Sequence, residues 1–184
     1  MAQITIVGLG HIGGSFALAL KAAGVKATLV GHDRDHEQAK RIRKMGGLDK
    51  IDWNLISACE GADVLILATP LAGIRQTMEV TAQYLKPGCV VTDTASLKAP
   101  VLQWADEFLP DTVSFVGGNP ITGPGGGEEI RADLFQGITY CLTPHIRSAA
   151  SAVDLISNLV RAIGAQPYFM DPAEHDGLLA AVEQ

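Results

Sequence analysis

Ile4-Thr5-Ile6-Val7-Gly8-Leu9-Gly10-His11-Ile12-Gly13-Gly14-Ser15 opens the chain almost at its first residue, and the fold turns on how it is read. A short apolar, β-branched run predicts a strand, a Gly-x-Gly-x-x-Gly follows at once, and from Ser15 to Ala23 apolar residues recur at helical spacing. In such a strand–turn–helix, Gly8 permits the tight turn, Gly10 lets the backbone come up against a diphosphate, and Gly13 lets the helix pack close to the strand. The free N–H groups and positive dipole end of the helix then face that diphosphate. Glycines alone would also make a plain turn. The next expected strand, Ala27 to Val30, runs into Gly31-His32-Asp33, and Asp33 stands 20 residues beyond Gly13. That is the offset at which a carboxylate accepts hydrogen bonds from an adenosine ribose. The other reading of Asp33 is as the cap of a helix beginning near His36.

Outward from this unit the pattern repeats. Apolar runs at Val64 to Ala68, Val90 to Thr92, Ser114 to Val116, Tyr140 to Leu142 and Pro167 to Met170 read as strands. Helical periodicity fills His36 to Met45, Ala72 to Leu85, Ala99 to Phe108 and Ala149 to Ile163. Strands that are apolar throughout are buried on both faces, and crossover helices of this length join parallel neighbours. The expected class is α/β, a doubly wound, mostly parallel sheet of the Rossmann type.

The bulk properties agree and remove several classes of function. The 184 residues suit one ordinary domain, and 47% hydrophobic against 18% charged residues is too apolar for a disordered chain. No apolar run reaches the ~20 residues of a membrane span. The formal charge of −6 lacks the basic excess that nucleic-acid binding needs, so neither a membrane nor nucleic acid is an expected partner. Cys59, Cys89 and Cys141 are odd in number, with no paired-ligand spacing, which argues against a disulfide framework and a zinc site and fits a reducing cytoplasm. No basic segment precedes the first apolar run, so no signal peptide is expected there.

Two stretches are less regular. Gly117 to Glu129, rich in glycine and broken by Pro120 and Pro124, is too long for a simple connection and reads as a functional loop. From Asp171 the sequence reads as a helix with Asp171 as its cap and Pro172 in the first turn, and no stop signal follows before Gln184. The expected organisation is a dinucleotide-binding domain over residues 1–170, with 171–184 beginning a helix that leads on into a longer parent.

The remaining motifs fall after strands. Thr69-Pro70, Thr94-Ala95-Ser96-Leu97-Lys98 and Gly117-Gly118-Asn119-Pro120-Ile121-Thr122-Gly123 all lie at carboxyl ends, the edge where open parallel sheets bind ligands. Together with GLGHIGGS, LATPL, LKPGCVVTDTASLK, ADLFQG, LTP and MDPAEHD, this order resembles the prephenate and arogenate dehydrogenases of tyrosine biosynthesis. The resemblance implies NAD-dependent oxidation of the ring carbinol of prephenate or arogenate with loss of carbon dioxide. It also implies a homodimer built by a C-terminal helical domain, so that this chain on its own is expected to be monomeric or weakly dimeric.

The site residues follow. Gly8, Leu9, Gly10, His11, Ile12, Gly13, Asp33, Arg34, Thr69 and Pro70 are the candidates for holding the cofactor. Asp33 favours NAD, while Arg34 beside it leaves NADP open as the phosphorylated alternative. His11 carries no catalytic role and reads equally as a half-exposed turn residue. Ser96, Lys98, Asn119, Thr122 and Gly123 are the candidates for the substrate, with Ser96 and Asn119 nearest the chemistry. Ser96 reads equally as a helix cap, and Lys98 as a solvated surface lysine.

The chain departs from the family at Asn119, where relatives carry a histidine in a Gly-Gly-His-Pro turn. An amide orients but takes no proton at neutral pH, which predicts slow turnover, a different base or an inactive variant. The family's Ser-His-Leu-Pro-His run would begin at Glu183-Gln184. His175, the nearest imidazole, reads as a surface residue of a first helical turn. Two further readings stand beside the first: a dehydrogenase of another small hydroxyacid or a pyrroline, and a dinucleotide-binding module without turnover.

Overall fold

The computed structural model describes residues 1–123 and 128–182. Residues 124–127, in the second half of the glycine-rich stretch, and Glu183-Gln184 lie outside the described residues.

Eight strands form one sheet in the order β3-β2-β1-β4-β5-β6-β7-β8. They are β1 (Gln3–Val7), β2 (Thr28–His32), β3 (Lys50–Ile51), β4 (Val64–Leu67), β5 (Val90–Asp93), β6 (Ser114–Pro120), β7 (Thr139–Pro144) and β8 (Gln166–Phe169). The helices are α1 (His11–Ala22), α2 (His36–Lys44), α3 (Leu55–Glu60), α4 (Leu71–Thr81), α5 (Ala99–Phe108), α6 (Ala150–Ala162) and α7 (Pro172–Val182), with a 3₁₀ turn at Ala82–Tyr84 extending α4. Strands β1 to β6 pair in parallel, β7 runs antiparallel to β6, and β8 parallel to β7. The doubly wound reading holds, with the chain reversing once at β6–β7. No described helix is long and apolar enough to cross a membrane.

Alternation along the strands explains why their sequences are apolar throughout. Ile4, Ile6, Val64, Ile66 and Val90 point into one core with Phe16 and Leu20 of α1 and with Phe135 and Tyr140. Val7, Leu65, Leu67 and Val91 point into the other, with Ile74 and Met78 of α4 and Val101 and Ala105 of α5. The central strands β1, β4, β5 and β6 thus feed two cores, one on either face of the sheet.

Several boundaries differ from expectation for physical reasons. Helix α1 starts at His11, immediately after the turn, so Gly13 and Gly14 are helical despite their poor propensity. A Cβ on Gly13 would lie 1.8 Å from the Gly8 carbonyl oxygen, so tertiary approach overrides propensity there. The two-residue β3 and the six-residue α3 are too short to generate a periodic signal, and no element was expected over Lys50 to Glu60. The largest correction concerns Gly117-Gly118-Asn119-Pro120, expected as a turn. These residues continue β6 because they pair with Thr143, Leu142, Cys141 and Tyr140 of β7. A Cβ on Gly117 or Gly118 would meet the Thr143 hydroxyl at 2.2 Å or the Asp93 carbonyl at 2.7 Å, so the glycines serve close strand packing.

Candidate functional site

The first strand–turn–helix places its glycines as the sequence predicts. Gly8 has φ +90°, and its amide donates to the His32 carbonyl of the neighbouring strand at 2.9 Å. Asp33 then ties the turn to β2: one carboxylate oxygen accepts from the Leu9 amide at 2.7 Å and the other from the Asp35 amide at 2.8 Å. The cap of α2 is Asp35, accepting from Glu37 and Gln38, so the capping alternative for Asp33 is overturned. Gln38 of α2 adds a bond from its amide to the Leu9 carbonyl at 2.7 Å. The turn is held before any ligand arrives.

In front of it lies a cleft of about 610 Å³ lined by Gly8, Gly10, Asp33, Arg34, Thr69 and Pro70 among others. The N-terminus of α1 has no side-chain cap and no acidic residue in its first turn. A Cβ on Gly10 would meet nothing within 4 Å, and the buried Thr69 hydroxyl lacks any partner among the described residues. An uncapped helix start, open space over Gly10 and an unpaired hydroxyl in the wall together fit a diphosphate with its sugars. Arg34 stands at the rim and donates to Gln76 of α4 at 2.8 Å.

Four of the expected cofactor residues lie behind the cleft. Leu9 has its side chain in the core and its amide on Asp33, Ile12 packs against the core, and Gly13 touches Gly8. The His11 ring bonds the Glu129 carbonyl at 3.1 Å, away from the cleft. Conversely, α4 contributes Ala72, Gly73, Gln76, Thr77 and Val80 to the opposite wall. Sequence reasoning placed that helix without seeing that its first turns border the cleft. The position of α4 after the crossover strand β4 is the signal that marks it.

A second cluster forms at the carboxyl ends of β5 and β6, and it corrects two expectations. Lys98 is 0% exposed, neither a surface lysine nor open to a substrate carboxylate. Its ammonium donates to Asp93 at 2.5 Å and to the Gly118 carbonyl at 2.6 Å. Asp93 also accepts from the amides of Ala95 and Gly118. Burial pulls the Lys98 ammonium below its usual range, opposed by the Asp93 charge. His175 is 1% exposed, not the surface residue expected. Its Nε2 lies 3.0 Å from Asn119 Nδ2 and its Nδ1 2.8 Å from an Asp176 oxygen.

Asp176 has a further duty. Its two oxygens accept from the Lys98 and Ala99 amides at 2.8 Å each, capping α5 from another helix. Ser96 therefore does not cap α5; it is exposed in the β5–α5 connection. Burial pushes the Asp176 carboxyl up, but the bonds from His175, Lys98 and Ala99 outweigh it and hold the group below the ordinary carboxylate range. Asn119 is nearly enclosed at 5% exposure, Thr122 is half-buried and Gly123 exposed just past β6. Asp171 caps α7 as expected, accepting from Ala173 and Glu174.

A doubly wound sheet, a tied glycine turn and an open cleft at the β1–β4 switch point define a Rossmann-type dinucleotide-binding domain. Residues 16–169 match the family described as "Prephenate dehydrogenase, nucleotide-binding domain". The chain belongs to that family. It is 34% identical over 97% of its length to prephenate dehydrogenase of Bacillus subtilis (strain 168), covering 49% of that protein. Among solved structures it resembles prephenate dehydrogenase from A. aeolicus in complex with hydroxyphenyl propionate and NAD+, with TM-score 0.88, 27% identity and coverage of 97% of this chain and 63% of that one. It likewise resembles Synechocystis arogenate dehydrogenase, with TM-score 0.87, 29% identity and coverage of 98% and 63%. The chain spans about half the length of the curated relative it matches.

Proposed function

We propose that this chain is the NAD-binding part of a dehydrogenase that oxidises the ring carbinol of prephenate or arogenate with release of carbon dioxide. The observation that carries the reading is the Asp33 carboxylate, fixed by the Leu9 amide at the mouth of a cleft with an uncapped helix start. When bound there, NAD would supply the hydride acceptor. Gly8, Gly10 and the start of α1 would hold its diphosphate, Asp33 its ribose hydroxyls, and Thr69 and Pro70 would border the nicotinamide side. Asp33 repels a 2′-phosphate, which favours NAD over NADP, although Arg34 is placed to offer NADP a counter-charge. Ser96 follows β5 and Thr122 and Gly123 follow β6, at the carboxyl edge of the sheet where Asn119 also lies, and these residues would contact the substrate.

A cytoplasmic enzyme that dimerises through a helical domain following α7 suits the relatives' greater length. Asn119 in place of histidine sets the rate. Loss of a general base costs about 10² to 10⁴ in turnover, so Asn119→His is expected to raise NADH formation from prephenate or arogenate by a factor in that range. Titration calorimetry with NAD+ and with NADP+, followed by absorbance assays on prephenate and arogenate, tests the whole reading. Absence of NAD+ binding would end it, and binding without turnover would favour a non-catalytic module.

A further inference from the structure

The contact between α7 and β6 carries more than packing, on the premise that the site is the dehydrogenase centre proposed above. Asp176, kept ionised by three hydrogen bonds, can only accept, so His175 Nδ1 must carry the proton that it offers. In the neutral ring Nε2 is then bare and can only accept. The group 3.0 Å from it is therefore the NH₂ end of Asn119, donating. The amide's oxygen is turned the other way. No described residue donates to that oxygen, and it is not among the fully enclosed polar atoms left without a partner.

We infer that His175 and Asp176 are positioning residues that lock the Asn119 amide with Oδ1 presented as hydrogen-bond acceptor to the substrate's ring hydroxyl. A base would add rate, but the atoms balance without one, and the oriented amide supports the slower turnover that remains. The ring carbinol carbon gives up hydride to NAD+, the ring carboxylate departs as carbon dioxide with its bonding pair entering the ring, and the hydroxyl keeps its proton as a phenol. What the reaction requires at that oxygen is relief of the positive charge that develops as hydride leaves. An aimed acceptor provides it. With the amide reversed, an N–H would face a hydroxyl that is losing electron density, and the interaction would oppose the reaction.

Two measurements on the full chain and its full-length protein test this. Nitrogen-15 spectra of the imidazoles should show His175 protonated at Nδ1 and bare at Nε2; protonation at Nε2 overturns the inference whatever the activity. In the NADH assay with prephenate or arogenate, His175→Leu should lower kcat roughly tenfold or more, the value of one oriented hydrogen bond. His175→Gln, which still offers an acceptor to the amide, should recover most of that loss, and both variants should keep the wild-type Kd for NAD+. Equal kcat in His175→Leu and wild type, or no rescue by glutamine, refutes the positioning role. If the wild-type protein binds NAD+ but turns over neither substrate, the dehydrogenase reading fails by itself. The spectrum then still upholds or overturns the locked amide, and it does the same where a variant does not fold.

Discussion

Asp33 ties the glycine turn to β2, and in the proposed function it would also hold the ribose. The carboxylate holds the Leu9 amide, and a bound ribose would share it. Asp33→Ala removes a charged hydrogen-bond acceptor worth about 1.5–3 kcal/mol, so calorimetry should show NAD+ affinity falling roughly 10- to 100-fold. The glycines of the turn divide in the same way. Gly13→Ala drives a methyl into the Gly8 carbonyl and should lower stability by about 3 kcal/mol or more, read from urea unfolding. Gly10→Ala meets no protein atom within 4 Å, so it should leave the unfolding midpoint unchanged while weakening NAD+ binding, if the diphosphate lies over Gly10 as proposed. At this scale the glycines and Asp33 were legible because their requirement is local: a backbone conformation, a spacing, a carboxylate at a strand end. His175 and Lys98 were not. Their burial depends on partners 56 and 20 residues away in sequence, and the periodicity of a single helix or turn carries no trace of such pairings.

Elements follow the same division. Helix α5 was placed at Ala99 to Phe108 from its apolar spacing, and its observed bounds agree. What caps it could not be read, because Asp176 reaches it from the far end of the chain. Strand β6 was cut short at Val116 because glycines lower strand propensity, yet pairing with β7 carries it on to Pro120. The Lys98–Asp93 pair anchors that extension through the Gly118 carbonyl and amide. Replacing Lys98 by methionine keeps the volume but strands the buried Asp93 charge, so unfolding free energy should drop by about 3–5 kcal/mol. Adding Asp93→Asn should recover part of the loss, and chemical denaturation of the single and double variants measures both.

For the whole molecule, acidity is the condition that exposes its electrostatics. Asp49 is held below the ordinary carboxylate range by Lys21 and the Leu29 amide, and Asp63 by Lys86 and the Gln3 amide. Asp52 is held there despite its burial by Ser57 and Asn54, and Asp176 despite its burial by His175 and the start of α5. The unfolded chain, with carboxyls near 3.9, binds more protons than the folded one in that window. Stability from these four groups is therefore complete above that value and is lost as pH falls through their depressed folded values. Thermal unfolding should show a flat midpoint from neutrality down to about pH 5 and a steep decline below about pH 4. Buried Cys59 and Cys89, whose thiols desolvation pushes up to about 12, contribute nothing to this acid limb.

The residue at position 119 rides on a sheet strand, laced to β7 on one side and, through Gly118, to the Asp93–Lys98 pair on the other. A single codon change there swaps a proton-accepting ring for an amide while the backbone beneath keeps its course. If position 119 serves the reaction as proposed, reactivity could drift along a lineage without the scaffold being rebuilt, and the α7 imidazole already stands 3.0 Å from the side chain that is there now.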